Sequence, residues 1–172
     1  LPRGTYHHLD PGGTLAGVEV FSCAPGPAGW RYVSQTYDAS SAPVGRVDVT
    51  VDARWRQVRV HVSGGGWTLR GGVVGVDAVW VREPAEGAGE VSSRPAGLAG
   101  EAGLAGEAGG AGEQSARAVG FTGRSPAFAV ATARLLGLGL LDRRRVRLAG
   151  VTEPACAVLP VDEGWALVDV TE

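Results

Sequence analysis

The chain predicts a mainly β fold, an antiparallel, barrel-like curved sheet with one covering helix. Three observations carry this. The segments Val44 to Asp52 and Trp55 to Val62 alternate apolar and polar residues with a period of two. Turn-forming clusters recur between apolar-rich segments through the N-terminal half. A helical pattern is convincing in one place only, Ala127 to Leu136.

The alternation is the strongest of the three. Val47, Val49 and Val51 share one face, and Arg46, Asp48, Thr50 and Asp52 share the other. After Asp52-Ala53-Arg54 the pattern resumes, with Val58, Val60 and Val62 opposite Gln57, Arg59 and His61. Successive side chains leave a pleated strand on opposite faces, so period two means half-buried strands. β-Branched residues along one face suit a pleated, packed surface. That face needs a cover: a second sheet, a helix or a bound apolar molecule.

Further strands are expected at Gly17 to Cys23, Trp30 to Tyr37, Trp67 to Arg70 and Val73 to Arg82. They are separated by Asp10-Pro11-Gly12-Gly13, Ala24-Pro25-Gly26-Pro27 and Ser63-Gly64-Gly65-Gly66. Gly and Pro supply the backbone angles that chain reversal needs. Residues 83–117 change character to Gly, Ala and Glu, with Leu98 to Gly103 repeated as Leu104 to Gly109. Gly at every second or third position removes helix preference at about 1 kcal/mol each. The stretch also lacks bulky apolar residues, so it reads as a disordered insertion within a single domain spanning 1–172.

The last third resumes with Ala118 to Thr122. Ser125 is a fitting helix N-cap with Pro126 at the first helical position, and Gly137 and Gly139 end the helix. Strands follow around Val146 to Val151, Ala155 to Leu159 and Trp165 to Val170.

Composition excludes several classes. At 172 residues and 44% hydrophobic the chain can build one sizeable core. A net charge of −2 gives no reason to expect nucleic acid as a partner. Lys, Ile, Asn and Met are absent, the mark of a GC-rich genome such as an actinobacterial one. Cys23 and Cys156 are too few for a disulfide framework or a zinc site and are expected as buried free thiols. The run Ala127 to Leu141 is too short and too interrupted to span a bilayer. No signal-peptide pattern is visible, so a cytoplasmic location is the expectation.

No catalytic constellation stands out, and neither a metal nor another cofactor is expected. Tyr6-His7-His8-Leu9-Asp10 holds two imidazoles and a carboxylate, but neighbouring side chains on an extended chain point apart. It reads as a solvated terminal segment. Arg143-Arg144-Arg145 reads as a solvated hairpin end. The tryptophans Trp30, Trp55, Trp67, Trp80 and Trp165 all fall on or beside strands. Most fill a core, but rings combined with arginine in a sheet also suit an amphiphile, with the guanidinium on its polar head. Trp55 falls at the corner between the two long strands.

The run Val47-Asp-Val-Thr-Val-Asp52-Ala-Arg-Trp55-Arg56-Gln-Val-Arg-Val60 resembles the strand, corner and strand of the bacterial glycolipid-binding family. Members carry an aspartate, two residues, then Trp-Arg and an alternating strand. Ser125-Pro126 to Arg134-Leu135-Leu136-Gly137-Leu138 resembles that family's second signature, in which Thr-Pro opens a segment ending in a basic pair and leucine. The family's Thr-Asn-Thr-Leu-Pro centre is replaced here by Phe128-Ala-Val-Ala-Thr132, and of the basic pair only Arg134 remains. The resemblance is to a diverged member. It implies a curved, many-stranded sheet similar to bacterial lipoprotein carriers.

The expected function is non-catalytic binding of an apolar or amphipathic ligand, glycolipid-like, in a β-barrel cavity. Trp55, Arg56, Trp67, Trp80 and Arg134 are the candidate ligand-binding residues. A small hydrolase or cyclase using the same cavity, or an interaction module with a packed interior, are the alternatives.

Overall fold

The computed structural model describes residues 1–85, 112–138 and 146–151, together with the strand placement of 156–159. Eight strands follow one another as an antiparallel meander: β1 (Arg3–Leu9), β2 (Leu15–Gly26), β3 (Gly29–Asp38), β4 (Pro43–Asp52), β5 (Gln57–Gly64), β6 (Trp67–Val74), β7 (Asp77–Pro84) and β8 (Glu113–Arg117). Each pairs with its sequence neighbours, and β1 and β8 form the two edges. The mainly β, antiparallel class is as expected, but the sheet is open and does not close into a barrel.

Three of the reversals share one design, anchored by an aspartate. Asp10, Asp38 and Asp52 each donate a backbone N–H to the carbonyl four residues on, at 2.9, 2.9 and 3.0 Å. Each carboxylate accepts from the backbone N–H groups two and four residues on. The residue three places after the aspartate takes positive φ: Gly13 at 80°, Ser41 at 66° and Trp55 at 64°. Glycine adopts that region without steric cost, whereas a bulky residue there is strained. The strand expected from Trp55 therefore begins at Gln57, and Trp55 belongs to the corner itself.

A register shift between β4 and β5 sets Val51 opposite Gln57 and leaves Val58 bulged. The alternation placed Val58 inward and Gln57 outward. In the structure Gln57 is buried at 1% exposure and Val58 is 38% exposed. A bulge inserts one unpaired residue and so reverses the facing of what precedes it.

The inner face of the sheet presents Val47, Val49, Val51, Val60, Leu69 and Trp80, all buried. Two elements cover it. One is α1 (Pro126–Leu136), capped by Ser125, whose hydroxyl accepts from Ala127 N, and ended by Gly137 at φ 62°. Phe128 at 1% exposure anchors the helix to the core, a burial worth about 1.5–3 kcal/mol. The other is a small sheet of β9 (Gly120–Thr122), β10 (Leu148–Val151) and β11 (Cys156–Leu159). β9 and β10 run parallel, with α1 lying in the connection between them, as a parallel pair requires.

Four expectations are corrected. Tyr6 to Leu9 is not a solvated tail but lies in β1, with Tyr6 stacked 5.0 Å from Phe21. The break between the sixth and seventh strands is at Gly75-Val76, and Gly71-Gly72 lie inside β6. A Cβ at Gly71 would lie 2.5 Å from Val79 O and 2.9 Å from the Trp80 side chain, so these glycines serve close packing. The insertion drawn at 83–117 is too wide at both ends: Glu83 and Pro84 end β7, and Glu113–Arg117 is β8. A ladder needs backbone groups rather than bulky side chains, so this polar segment can pair with the free edge of β7. Residues 86–111, the repeat among them, lie outside the described residues. So do Arg143 to Arg145, Trp165 and the Cys156 side chain. Cys23, expected to be buried, is a half-buried free thiol.

Candidate functional site

At one end of the sheet, five chain segments converge on a cavity of about 660 Å³. The β4–β5 corner gives Arg56, the β6–β7 turn gives Val76, and the residues after β8 give Ala118 and Val119. The last turn of α1 gives Leu135 and Leu136. Val73 also lines it, and Arg117 and Arg147 stand at its wall. The volume falls within the range of small-molecule sites. Its lining is apolar and basic, and no carboxylate is among those residues.

Arg56 is fixed by its own corner. Its Nε donates to Asp52 Oδ2 at 2.7 Å, and its backbone N–H to Oδ1 at 2.9 Å. Burial pushes the Asp52 carboxyl up, but hydrogen bonds from the Arg56 backbone, the Arg56 guanidinium and the Arg54 backbone together hold it below its ordinary value. Asp52 thus remains an anion that orients Arg56. Next to it, the Arg134 guanidinium lies 5.6 Å from the centre of the Trp55 ring. The Arg134 side chain is exposed, so this arginine leaves the apolar helix by reaching over Trp55 toward water.

Of the sequence-predicted site residues, Trp55, Arg56 and Arg134 therefore gather at the corner beside the cavity, and Arg56 lines it. Trp67 and Trp80 do not join them. Trp67 starts β6, close to the opposite end of the sheet, with the Arg82 guanidinium 4.4 Å from its ring centre. Trp80 is 4% exposed, packs edge-on against Phe121 at 6.2 Å and donates from Nε1 to Gln114. Its ring is a core component.

The Trp55 corner gives a direct test of strain against packing. Replacing Trp55 with Ala removes a half-buried ring and is expected to cost about 2 kcal/mol. Trp55→Gly is expected to cost about 1 kcal/mol less than Trp55→Ala, because glycine relieves the positive φ. Denaturant melts of the two variants measure the difference. Equal costs would show that the corner carries no strain.

A second polar cluster was not legible in the sequence. Glu19 on β2 is 1% exposed, and three donors converge on its carboxylate. Tyr32 Oη donates to Oε1 at 2.8 Å, Ser125 Oγ to Oε1 at 2.6 Å, and His8 Nε2 to Oε2 at 3.1 Å. Burial first, then the Glu19 charge, push the Tyr32 hydroxyl far up, so it stays protonated and donating. The cluster contains Ser, His and an acid, but both hydroxyls and the imidazole bond to the carboxylate. A hydrolytic triad requires the imidazole to accept the serine proton. Ser125 is also spent as the cap of α1. The arrangement ties the helix N-terminus to β2 and does not activate a nucleophile.

No protein-family model, curated protein or solved structure matches the chain.

Over β1 to β6 the outer face of the sheet carries an excess of arginine, while over β7 and β8 the same face carries Asp77, Glu83 and Glu113 beside Arg117. Register and alternation place Arg3, Arg31, Arg46, Arg59 and Arg70 on it, all exposed. Asp48 sits among them, buried, with a bidentate bond from Arg31 through Nε at 2.9 Å and through Nη2. That bond holds the Asp48 carboxyl below its ordinary range, with Arg59 and Arg46 adding to the effect. His61, facing Asp48 across β4 and β5, is pushed down by burial and then by Arg70, with Asp48 opposing. Among the described residues no group of His, Cys, Asp and Glu is placed to hold a metal, and no helix is long and apolar enough to cross a membrane.

Proposed function

We propose that the chain binds an anionic amphiphile without chemical change, as a diverged member of the bacterial glycolipid-binding family. The observation that carries this is the end cavity, whose lining combines Val73, Val76, Leu135 and Leu136 with Arg56, Arg117 and Arg147. Leu135, Leu136, Val73 and Val76 favour a hydrocarbon chain, since apolar surface leaves water there at about 25 cal/mol per Å². Guanidinium groups grip phosphate or carboxylate through paired donors. Among the described residues no carboxylate pairs Arg117 or Arg147, so both retain charge for a ligand head. The Asp-x-x-Trp-Arg corner, the feature by which the chain resembles the family, supplies Arg56 to this lining.

Titration of the protein with a lysophosphatidylglycerol and a chain-matched lysophosphatidylcholine, both kept monomeric, tests the reading. The anionic lipid is expected to bind more tightly. Changing Arg117 and Arg147 together to Gln is expected to remove about 1.5–3 kcal/mol of that affinity, the scale of a charge-assisted hydrogen bond, and to affect the zwitterionic lipid less. Equal affinities for the two lipids, unchanged in the variant, would overturn it. Native mass spectrometry of protein from its own host adds an independent measure, with a co-purified amphiphile expected.

A further inference from the structure

The outer face of the sheet offers a second surface, distinct from the cavity. Arg3 on β1, Arg31 on β3, Arg46 on β4, Arg59 on β5 and Arg70 on β6 spread over a face about 24 Å wide, at the usual strand spacing. The chain as a whole carries −2, so this concentration of positive charge is local. The buried Asp48 is the acid set among these arginines, and Arg31 engages it. The mutual influence of Arg46, Arg59 and Arg70 on Asp48 and His61 places these charges in one field. Like charges held together in a fold lower its stability unless an opposite charge meets them.

The same face is not purely polar. Val20 is 47% exposed and Val44 is 45% exposed, both on the arginine-bearing side. A hollow of about 590 Å³ opens there, with Arg3 and Arg46 on its wall beside Val20, Val33 and Gln35. Basic charge mixed with exposed aliphatic groups is the composition of surfaces that settle at a lipid headgroup layer. Single-stranded nucleic acid would instead call for a row of aromatic platforms, and among the described residues His61 is the ring set between Arg46, Arg59 and Arg70.

We propose that this face docks on an anionic lipid bilayer, the arginines meeting the headgroup phosphates and the hollow receiving a headgroup. The choice of a bilayer over other polyanions rests on the reading that the cavity ligand is an amphiphile. Docking by this face leaves the end cavity, formed on the other side by α1, free to exchange its ligand.

Sedimentation of the full chain with phosphatidylglycerol–phosphatidylcholine vesicles, and with phosphatidylcholine alone, tests the proposal. Binding is expected only to the anionic vesicles and is expected to weaken sharply at high ionic strength. Each arginine near such a surface contributes about a fivefold factor, so Arg46→Gln, Arg59→Gln and Arg70→Gln together lower affinity about a hundredfold. The corresponding triple change to Lys keeps the charge and is expected to keep vesicle binding. Arg147→Gln, outside the eight-stranded sheet, is expected to sediment like the wild type while binding monomeric lysolipid more weakly. The Gln triple variant is expected to do the reverse, so failure of the cavity reading and failure of the docking face are told apart. Equal binding to neutral vesicles, an unaffected Gln triple variant, or a Lys variant as weak as the Gln variant would each overturn the proposal. Tighter binding to single-stranded RNA than to anionic vesicles at the same salt would also overturn it.

Discussion

Replacing Glu19 with Ala is expected to destabilise the protein by about 3–5 kcal/mol, because the buried Ser125 and the half-buried Tyr32 lose the carboxylate they share and a cavity opens beneath them. Tyr32 and Ser125 both give their hydroxyl protons to Glu19 Oε1. Glu19 itself is 1% exposed, so solvent is poorly placed to replace its carboxylate. The damage is expected to concentrate in α1, since Ser125 is both its cap and its tie to β2. Hydrogen exchange in residues 126–136 is expected to accelerate more than in β4 and β5. Glu19→Gln keeps one carbonyl oxygen for the hydroxyls and is expected to cost about 1 kcal/mol. Chemical denaturation with hydrogen-exchange mass spectrometry measures both effects. An Ala variant losing less than the Gln variant would mean that the cluster is not a tie at all.

The contrast between Glu19 and the valines shows what a linear pattern can and cannot carry. Val47, Val49 and Val51 are legible because alternation is a local property, and the structure buries all three. Ser125, Pro126 and Gly137 are legible because caps depend on single residue types at helix ends. Glu19 is flanked by Val18 and Val20 and reads as the exposed residue of an alternating strand. Its inward facing is compensated by His8, Tyr32 and Ser125, partners supplied by three different elements. No spacing rule links positions that far apart. The candidate site divides in the same way. The Asp52-Ala-Arg-Trp55-Arg56 corner is compact in sequence and was visible as a motif. Arg117, Val119 and Arg147 come to the cavity only through the β8–β9 and β10 topology. Trp80 shows the converse, since residue type suggested a ligand contact and packing buries its ring in the core, while Trp67 stands at the far end of β6 from the cavity.

Gln57 illustrates how a bulge hides a structural residue, and its replacement by Leu is expected to cost about 2–5 kcal/mol. The register shift between β4 and β5 turns Gln57 inward, where its amide faces the free side of β9. Nε2 donates to Phe121 O at 3.1 Å, and Oε1 accepts from Phe121 N at 2.7 Å. This reciprocal pair reproduces the bonding that a neighbouring strand would give, on the side of β9 away from β10. Gly120 permits the approach, since a Cβ there would lie 3.1 Å from Gln57 Nε2. Leu fills nearly the same volume but leaves a buried backbone N–H and C=O without partners, each worth about 1–3 kcal/mol. Ala at position 57 adds a cavity to those two losses and is expected to be worse. Gln57→Glu retains the acceptor for Phe121 N but sets a carboxylate oxygen against the carbonyl, so it is expected to fall no better than Leu. Because Phe121 packs edge-on against Trp80, loosening β9 is also expected to change tryptophan fluorescence before global unfolding. Equilibrium urea unfolding followed by fluorescence and by far-ultraviolet circular dichroism separates the two events. A Leu variant as stable as the wild type would show that β9 holds its place through the packing of Phe121 alone.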